Sequence, residues 1–151
     1  MKVLMVCLGN ICRSPMAEGL LRHKVNELGL DVSTDSAGTA GYHVGERPDQ
    51  RAIAAMQRQG VDISDLRARQ FVAEDFERFD LIFAMDQNNH ADMLSLASSE
   101  DDMDKLRLIL DMNGSEGKSV PDPYFGGDEG FNDVHQMLDS ACNALIDEIS
   151  G

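Results

Sequence analysis

Residues 7–14 read Cys-Leu-Gly-Asn-Ile-Cys-Arg-Ser, and together with the residues on either side they indicate the fold. The apolar run before it, residues 3–6, predicts a buried strand, and Pro15 begins a helical pattern after it. A strand, a tight loop and a helix N-terminus thus follow one another, and the free backbone N–H groups of such a loop form an anion site. Gly9 and Asn10 tolerate the left-handed backbone that this loop needs.

Two side chains make the predicted anion site reactive. Cys7 begins the loop and Arg13 ends it. Loop N–H donors, a helix N-terminus and a guanidinium together stabilise a thiolate, and a guanidinium matches phosphate oxygens with two parallel hydrogen bonds. We therefore predict a phosphoryl-transfer site in which Cys7 is the nucleophile. The alternative is a buried structural cysteine beside a surface arginine, and the strand-loop-helix context argues against it.

The composition limits the classes of partner. The chain has 151 residues, 42% of them hydrophobic, which predicts a single domain over residues 1–151. A net charge of −14 argues against nucleic acid or an anionic membrane as a partner. No apolar run is long enough to span a membrane and the N-terminus lacks a signal-peptide pattern, so we expect a cytoplasmic protein.

The cysteines and histidines give no sign of a disulfide framework or a metal site. Three cysteines are few and odd in number, and the third, Cys142, lies in a helical pattern typical of the core. The four histidines are scattered without the spacing of metal ligands. The sequence therefore predicts no metal and no cofactor.

Periodicity predicts strands that alternate with helices. This pattern favours an α/β fold, a four-stranded parallel twisted sheet with helices on both faces. The strands are expected at residues 2–6, 32–37, 81–85 and 106–110, and the main helices at 14–28, from Pro48 towards Gly60, at 86–96 and at 131–149. Residues 98–104 are expected to form an acidic loop. The long loop 111–130 contains Asp122 and is expected to meet the first loop at the carboxyl ends of the strands.

Two motifs resemble those of a known family. Residues 6–15, Val-Cys-Leu-Gly-Asn-Ile-Cys-Arg-Ser-Pro, look like the signature of the low-molecular-weight protein tyrosine phosphatases, and Asp122-Pro123-Tyr124 looks like their second signature. The resemblance implies hydrolysis of phosphotyrosine in a protein substrate through a cysteinyl-phosphate intermediate. It also implies that Asp122 is the general acid, whereas the residues alone are equally compatible with an ordinary aspartate in a turn.

Further site residues follow from the loop and from the resemblance. The backbone from Leu8 to Arg13 is expected to bind phosphoryl oxygens, and Ser14 is expected to cap the helix and to donate a hydrogen bond to the Cys7 thiolate. In the family, the asparagine matched by Asn10 joins the serines matched by Ser14 and Ser36. Positions that in the family grip a phenyl ring are matched here by Leu8, Ile11, Tyr42, Tyr124 and Phe125.

One position departs from the family and another suggests redox regulation. Many relatives have a histidine where Leu66 stands, and that histidine supports the loop asparagine, so Asn10 must find another partner here. Cys12 is either a small apolar loop residue or, as the resemblance implies, a resolving thiol. In the second case it would capture oxidised Cys7 as a disulfide.

Three other functions stay open at the level of sequence. Thiol-based arsenate reduction would need further cysteines after the third strand, and residues 80–100 contain none. Protein-arginine phosphatases resemble the signature but carry threonine where Ile11 stands. A non-catalytic module that binds phosphopeptides or nucleotides would need neither Cys7 nor Asp122.

Overall fold

A computed structural model describes residues 1–115 and 117–151. Its centre is one sheet of four parallel strands in the order β2-β1-β3-β4. The strands are β1 (Lys2–Cys7), β2 (Ser33–Gly38), β3 (Leu81–Ala84) and β4 (Leu106–Leu108). The predicted parallel sheet is therefore confirmed, with β2 at one edge. The fourth strand is shorter than predicted, because a 3₁₀ helix, Ile109–Asn113, takes over from it.

Helices cover both faces of this sheet, as the burial of alternate residues in β1 requires. Val3 and Met5 belong to one apolar cluster, and Leu4 and Val6 belong to another. Side chains in a strand point to opposite faces in turn, so both faces must be covered to bury all four. The helices are α1 (Arg13–Leu28), α2 (Gln50–Gln57), α3 (Asp75–Arg78), α4 (Gln87–Leu94), α5 (Glu100–Lys105) and α6 (Asp128–Ser150).

Two helix assignments made from the sequence are wrong. The acidic loop is instead the helix α5, whose N-cap Ser99 accepts a hydrogen bond from the N–H of Asp102, with acidic residues at the positive end of the helix. Pro48 does not open α2, because Asp49 is its N-cap and accepts from the N–H of Arg51.

The sheet order brings the chemistry-bearing segments to one edge. β1 ends at Cys7, and β3 ends two residues before Asp86. The chain returns to this edge after β4, where the N–H of Val120 donates to the carbonyl of Met85 at 2.8 Å. Asp122 follows two residues later. Within the described ranges, no helix is long and apolar enough to cross a membrane.

Candidate active site

The 7–13 loop connects β1 to α1 and turns through a left-handed residue. Asn10 has a φ of 58°, whereas Gly9 is not in that conformation. The small size of Gly9 has another reason, because a Cβ there would lie 3.1 Å from Cδ2 of His43. The loop is also tied to α2, since the N–H of Asp49 donates to the carbonyl of Ile11 at 2.8 Å.

A chain of buried hydrogen bonds runs from Cys7 into the protein. Sγ of Cys7 lies 3.0 Å from Oγ of Ser14, and Nδ2 of Asn10 donates to the same Oγ at 2.7 Å. Nδ2 of Asn10 also donates to Oγ of Ser36, which in turn donates to Glu18 at 2.7 Å. Burial raises the pKa of the Glu18 carboxyl above its ordinary value, although the bond from Ser36 opposes this.

Ser14 does not cap α1, contrary to the sequence prediction. The helix begins at Arg13, its N-cap is Cys12, and no side chain caps it. The hydroxyl of Ser14 is buried inside the first turn, between Cys7 and the carbonyl of Ala37, 3.3 Å away. It is therefore placed to stabilise a thiolate rather than to close the helix end.

Two hydrogen bonds hold the guanidinium of Arg13 in place. Its Nη1 donates to Oδ2 of Asp86 at 2.6 Å and to the carbonyl of Val120 at 3.1 Å. Burial lowers the pKa of Arg13, but the electrostatic effects of the nearby Cys7 and Asp86 outweigh burial and leave it raised. Because these two contacts fix the planar group, it can present its remaining N–H bonds to an oxyanion in one orientation.

The carboxyl group of Asp122 lies near the second terminal nitrogen of the Arg13 guanidinium. Its Oδ2 is 3.7 Å from Nη2 of Arg13, and its Oδ1 accepts from the N–H of Tyr124 at 3.0 Å. The side chain is 39% exposed, so solvent can exchange protons with it. A carboxyl group beside the oxyanion site and open to water is suited to proton transfer.

These groups surround a cleft of about 210 Å³. Cys7, Cys12 and Arg13 line it together with Asp122, and the predicted apolar and aromatic residues also line it: Leu8, Ile11, Tyr42, Tyr124 and Phe125. Tyr124 and Phe125 contact edge to face, with ring centroids 5.0 Å apart. Phe125 is 93% exposed, so it belongs to the wall of the cleft and not to the core.

Sequence reasoning missed three residues around the cleft. Asp86 was predicted only to start a helix, although an acidic residue just after a parallel strand lies at the ligand-binding edge of the sheet and could have been found by that rule. His43 lines the cleft, and no sequence pattern indicated it. Arg51, near the start of α2, donates to the backbone after Asp122.

Leu66 stands where relatives in the resembled family often have a histidine that supports the loop asparagine, and a backbone group takes over that support here. Leu66 packs against the core, and the backbone N–H of Arg69 donates to Oδ1 of Asn10 at 3.0 Å. The loop asparagine is thus held at its oxygen without a histidine. Over residues 1–115 and 117–151, no group of three or more acidic, histidine or cysteine side chains is placed to bind a metal ion.

Comparisons with known proteins agree on one family. The family model described as low molecular weight phosphotyrosine protein phosphatase matches residues 2–151. A member from Schizosaccharomyces pombe is 40% identical over 149 residues, which cover 95% of this chain and 94% of that protein. A crystal structure of a protein tyrosine phosphatase from Entamoeba histolytica has a TM-score of 0.93 and 38% identity, and the match covers 99% of this chain and 97% of that one. The structure of DARP, drosophila arginine phosphatase, also has a TM-score of 0.93, with 34% identity and coverage of 100% and 99%.

Proposed function

Because the chain belongs to the low-molecular-weight protein tyrosine phosphatase family, which hydrolyses phosphotyrosine through a cysteinyl-phosphate intermediate, we propose that Cys7, Arg13 and Asp122 carry out this reaction in it. The assignment rests on one observation, that these three residues lie around the same cleft. Cys7, Arg13 and Asp122 all line it, the guanidinium of Arg13 is held by Asp86, and Asp122 is 3.7 Å from that guanidinium.

In the first step, Sγ of Cys7 attacks the phosphorus atom. The S–P bond forms as the P–O bond to the phenolic oxygen breaks, and Asp122 gives its proton to that oxygen. The negative charge on the equatorial oxygens is stabilised by Arg13 and by the N–H groups of the 7–13 loop. These donors are held in place before the substrate arrives, so little reorganisation is needed.

In the second step, Asp122, now ionised, takes a proton from a water molecule that attacks the phosphorus. The S–P bond breaks, inorganic phosphate leaves, and Cys7 returns to the thiolate. The 3.0 Å contact between Ser14 Oγ and Cys7 Sγ supports a role for the Ser14 hydroxyl here, since a hydrogen bond to a departing thiolate lowers the cost of forming it.

The shape of the cleft supports phosphotyrosine as the substrate class. Tyr42 and Phe125 stand at its rim with 77% and 93% of their surface exposed, and Cys7 at its floor is only 2% exposed. A phenyl ring can pack between such walls while its phosphate reaches the thiol. A phosphoserine side chain is shorter, so its phosphate would stop above the floor.

Turnover of phenyl phosphate tests the assignment. Cys7→Ser should abolish turnover while inorganic phosphate still binds, and Arg13→Ala should lose both. Rapid mixing of the wild type with an aryl phosphate should release one equivalent of phenol in a burst, the kinetic sign of a covalent intermediate. Turnover retained by Cys7→Ser would falsify the nucleophile.

A phosphoarginine substrate is the second candidate, because the fold matches DARP as closely as the tyrosine phosphatase from Entamoeba. The side chain that favours phosphotyrosine is Ile11, which lines the cleft where arginine phosphatases carry threonine. Competition between phosphotyrosine and phosphoarginine peptides at equal concentration separates the two substrates.

We also propose that residues 1–151 act as one phosphatase domain on phosphotyrosine-containing proteins in the cytoplasm. The family match over residues 2–151 supports one domain. The net charge of −14 argues against nucleic acids and anionic membranes as partners. All three cysteines are free thiols, as is usual in reducing compartments.

A further inference from the structure

Arg51 connects the start of α2 to the segment that carries Asp122. Its Nη2 donates to the carbonyl of Tyr124 at 2.8 Å, and its Nη1 donates to the carbonyl of Gly126 at 3.0 Å. Both carbonyls belong to residues 122–126, which we call the Asp122 segment. One planar fork thus holds two peptide groups of this segment.

The guanidinium is fixed on its opposite side. Nε and Nη2 of Arg51 donate to the carboxylate of Asp49 at 3.1 and 3.0 Å. Asp49 is the N-cap of α2, and its N–H donates to the carbonyl of Ile11 in the 7–13 loop. The guanidinium also lies 4.7 Å from the ring centroid of Phe131, which is fully buried. Arg51 therefore relates the Asp122 segment to the loop that holds the nucleophile.

The Asp122 segment has few other attachments. It closes on itself, because the N–H of Gly126 donates to the carbonyl of Pro123 and the N–H of Tyr124 donates to Asp122. Among the residues that the structure describes, the two bonds from Arg51 are the only hydrogen bonds that reach the segment from outside it. Apart from the ion pair of Asp122 with Arg13 at 3.7 Å, the position of the segment over the cleft thus depends on the side chain of Arg51.

We propose that Arg51 is a positioning residue that holds the Asp122 segment, and with it the carboxyl group of Asp122, over the nucleophile. This inference rests on the proposed role of Asp122 as the general acid. Arg51 itself acts through the backbone of the segment. Its loss should leave the 7–13 loop able to bind phosphate but should misplace the proton donor, and a small misplacement of a reacting group is costly.

A proton donor matters most when the leaving group is basic, so two esters separate positioning from general stability. Arg51→Met should lower kcat/KM for phenyl phosphate about 10- to 100-fold and kcat/KM for 4-nitrophenyl phosphate less than about 3-fold. The inhibition constant of inorganic phosphate should stay within about 2-fold, because the oxyanion donors are untouched. Arg51→Lys keeps the charge without the fork and should fall between the wild type and Arg51→Met.

Arg107→Met is the matched control. Arg107 makes a similar two-point contact with a carboxylate, that of Glu148, and its side chain is 35% exposed against 34% for Arg51, but it lies on β4 and, in the part of the chain that the structure describes, makes no hydrogen bond to the Asp122 segment. This variant should change both esters equally and by little. If Arg51→Met does not fold, Arg51→Lys decides by the same comparison of esters.

The double variant Arg51→Met with Asp122→Ala tests whether the two residues act together. If Arg51 acts only through Asp122, the double variant should be no slower on phenyl phosphate than Asp122→Ala alone. Equal losses on both esters in Arg51→Met, or additive losses in the double variant, would overturn the positioning role of Arg51. They would leave the assignment of Asp122 as the general acid untouched. If Asp122→Ala itself does not discriminate between the esters, the general-acid assignment fails and the positioning role fails with it.

Discussion

One carboxylate, that of Asp86, fixes Arg13 and caps a helix at the same time. Its Oδ2 accepts from Nη1 of Arg13 at 2.6 Å, and its Oδ1 accepts from the N–H of Asn89 at 2.7 Å at the start of α4. The orientation of the Arg13 guanidinium is thereby coupled to the helix that follows β3. Arg13 is 3% exposed and Asp86 20%, so the pair is largely out of water.

The two roles of Asp86 can be separated by substitution. Asp86→Asn keeps an oxygen for the cap but removes the charge opposite Arg13, whereas Asp86→Ala removes both. Breaking a buried pair leaves a charge uncompensated, and losing a cap costs about 1 kcal/mol more. We expect both variants to be less active and less resistant to urea, and Asp86→Ala to be the less stable of the two. Equal unfolding free energies for both variants would contradict the capping role.

Asn10 combines a left-handed backbone with three hydrogen bonds, and two variants separate these contributions. Asn10→Gly keeps the backbone freedom and loses the bonds, while Asn10→Ala loses both. We expect both to slow turnover of aryl phosphates, because Ser14 loses a donor. Asn10→Ala should be less stable than Asn10→Gly by about 1 kcal/mol, the cost of left-handed backbone in alanine. Urea unfolding of the two variants gives this difference directly, and a more stable Asn10→Ala would refute it.

Glu18 predicts how stability depends on pH. Because its pKa is raised in the folded protein, the unfolded chain releases the proton first as pH rises, and the folded state loses stability between the ordinary pKa of a glutamate and the raised value. Below that window the carboxyl group is protonated in both states and the effect vanishes. Glu18→Gln removes the titration and keeps an acceptor for Ser36. The variant's melting temperature relative to wild type should therefore be higher at neutral pH than in acid, and a constant difference would disprove the linkage.

Cys12 is expected to protect the nucleophile from peroxide. Both thiols line the same cleft, so a sulfenic acid on Cys7 can be captured as a Cys7–Cys12 disulfide with loss of water. Burial and the neighbouring Asp49 raise the pKa of Cys12, so the disulfide should form faster as pH rises. In Cys12→Ser excess peroxide should oxidise the uncaptured sulfenic acid on Cys7 further to a sulfinic acid, so dithiothreitol should restore the oxidised wild type but not this variant. Peptide mapping that finds no such disulfide would exclude this protection.

The sequence predicted what local patterns determine. Alternating strands and helices indicated the parallel sheet. Cys7 follows the first predicted strand and Asp122 follows the fourth, which indicated that their loops would meet at the carboxyl ends of the strands. The left-handed loop residue was predicted from residue type, although only Asn10 and not Gly9 adopts that backbone. The bonds from Asn10 to Ser14 and Ser36 followed from the resemblance and are present in the structure. The catalytic roles themselves stay predictions.

What the sequence did not show depends on contacts between distant segments. The carbonyl groups that Arg51 contacts lie 73 and 75 positions further along the chain, and no local pattern relates them. Ser14 has the residue type of a cap but is drawn to Cys7 and Asn10 by tertiary contacts. The acidic run of the short helix α5 predicts a loop when only its charge is considered, although Ser99 and the acidic first turn are typical of a helix start.

The outer edge of β2 is partly closed, and this bears on aggregation. Gly38 donates its N–H to the carbonyl of Arg69 and accepts from the N–H of Phe71, so the 69–71 segment takes up the end of the strand. Asp35, further along the edge, is paired with Arg69 at 3.0 Å. The opposite edge strand, β4, is only three residues long. Short, charged and covered edges offer little template for intermolecular strand pairing, so edge-to-edge aggregation of the folded protein is disfavoured.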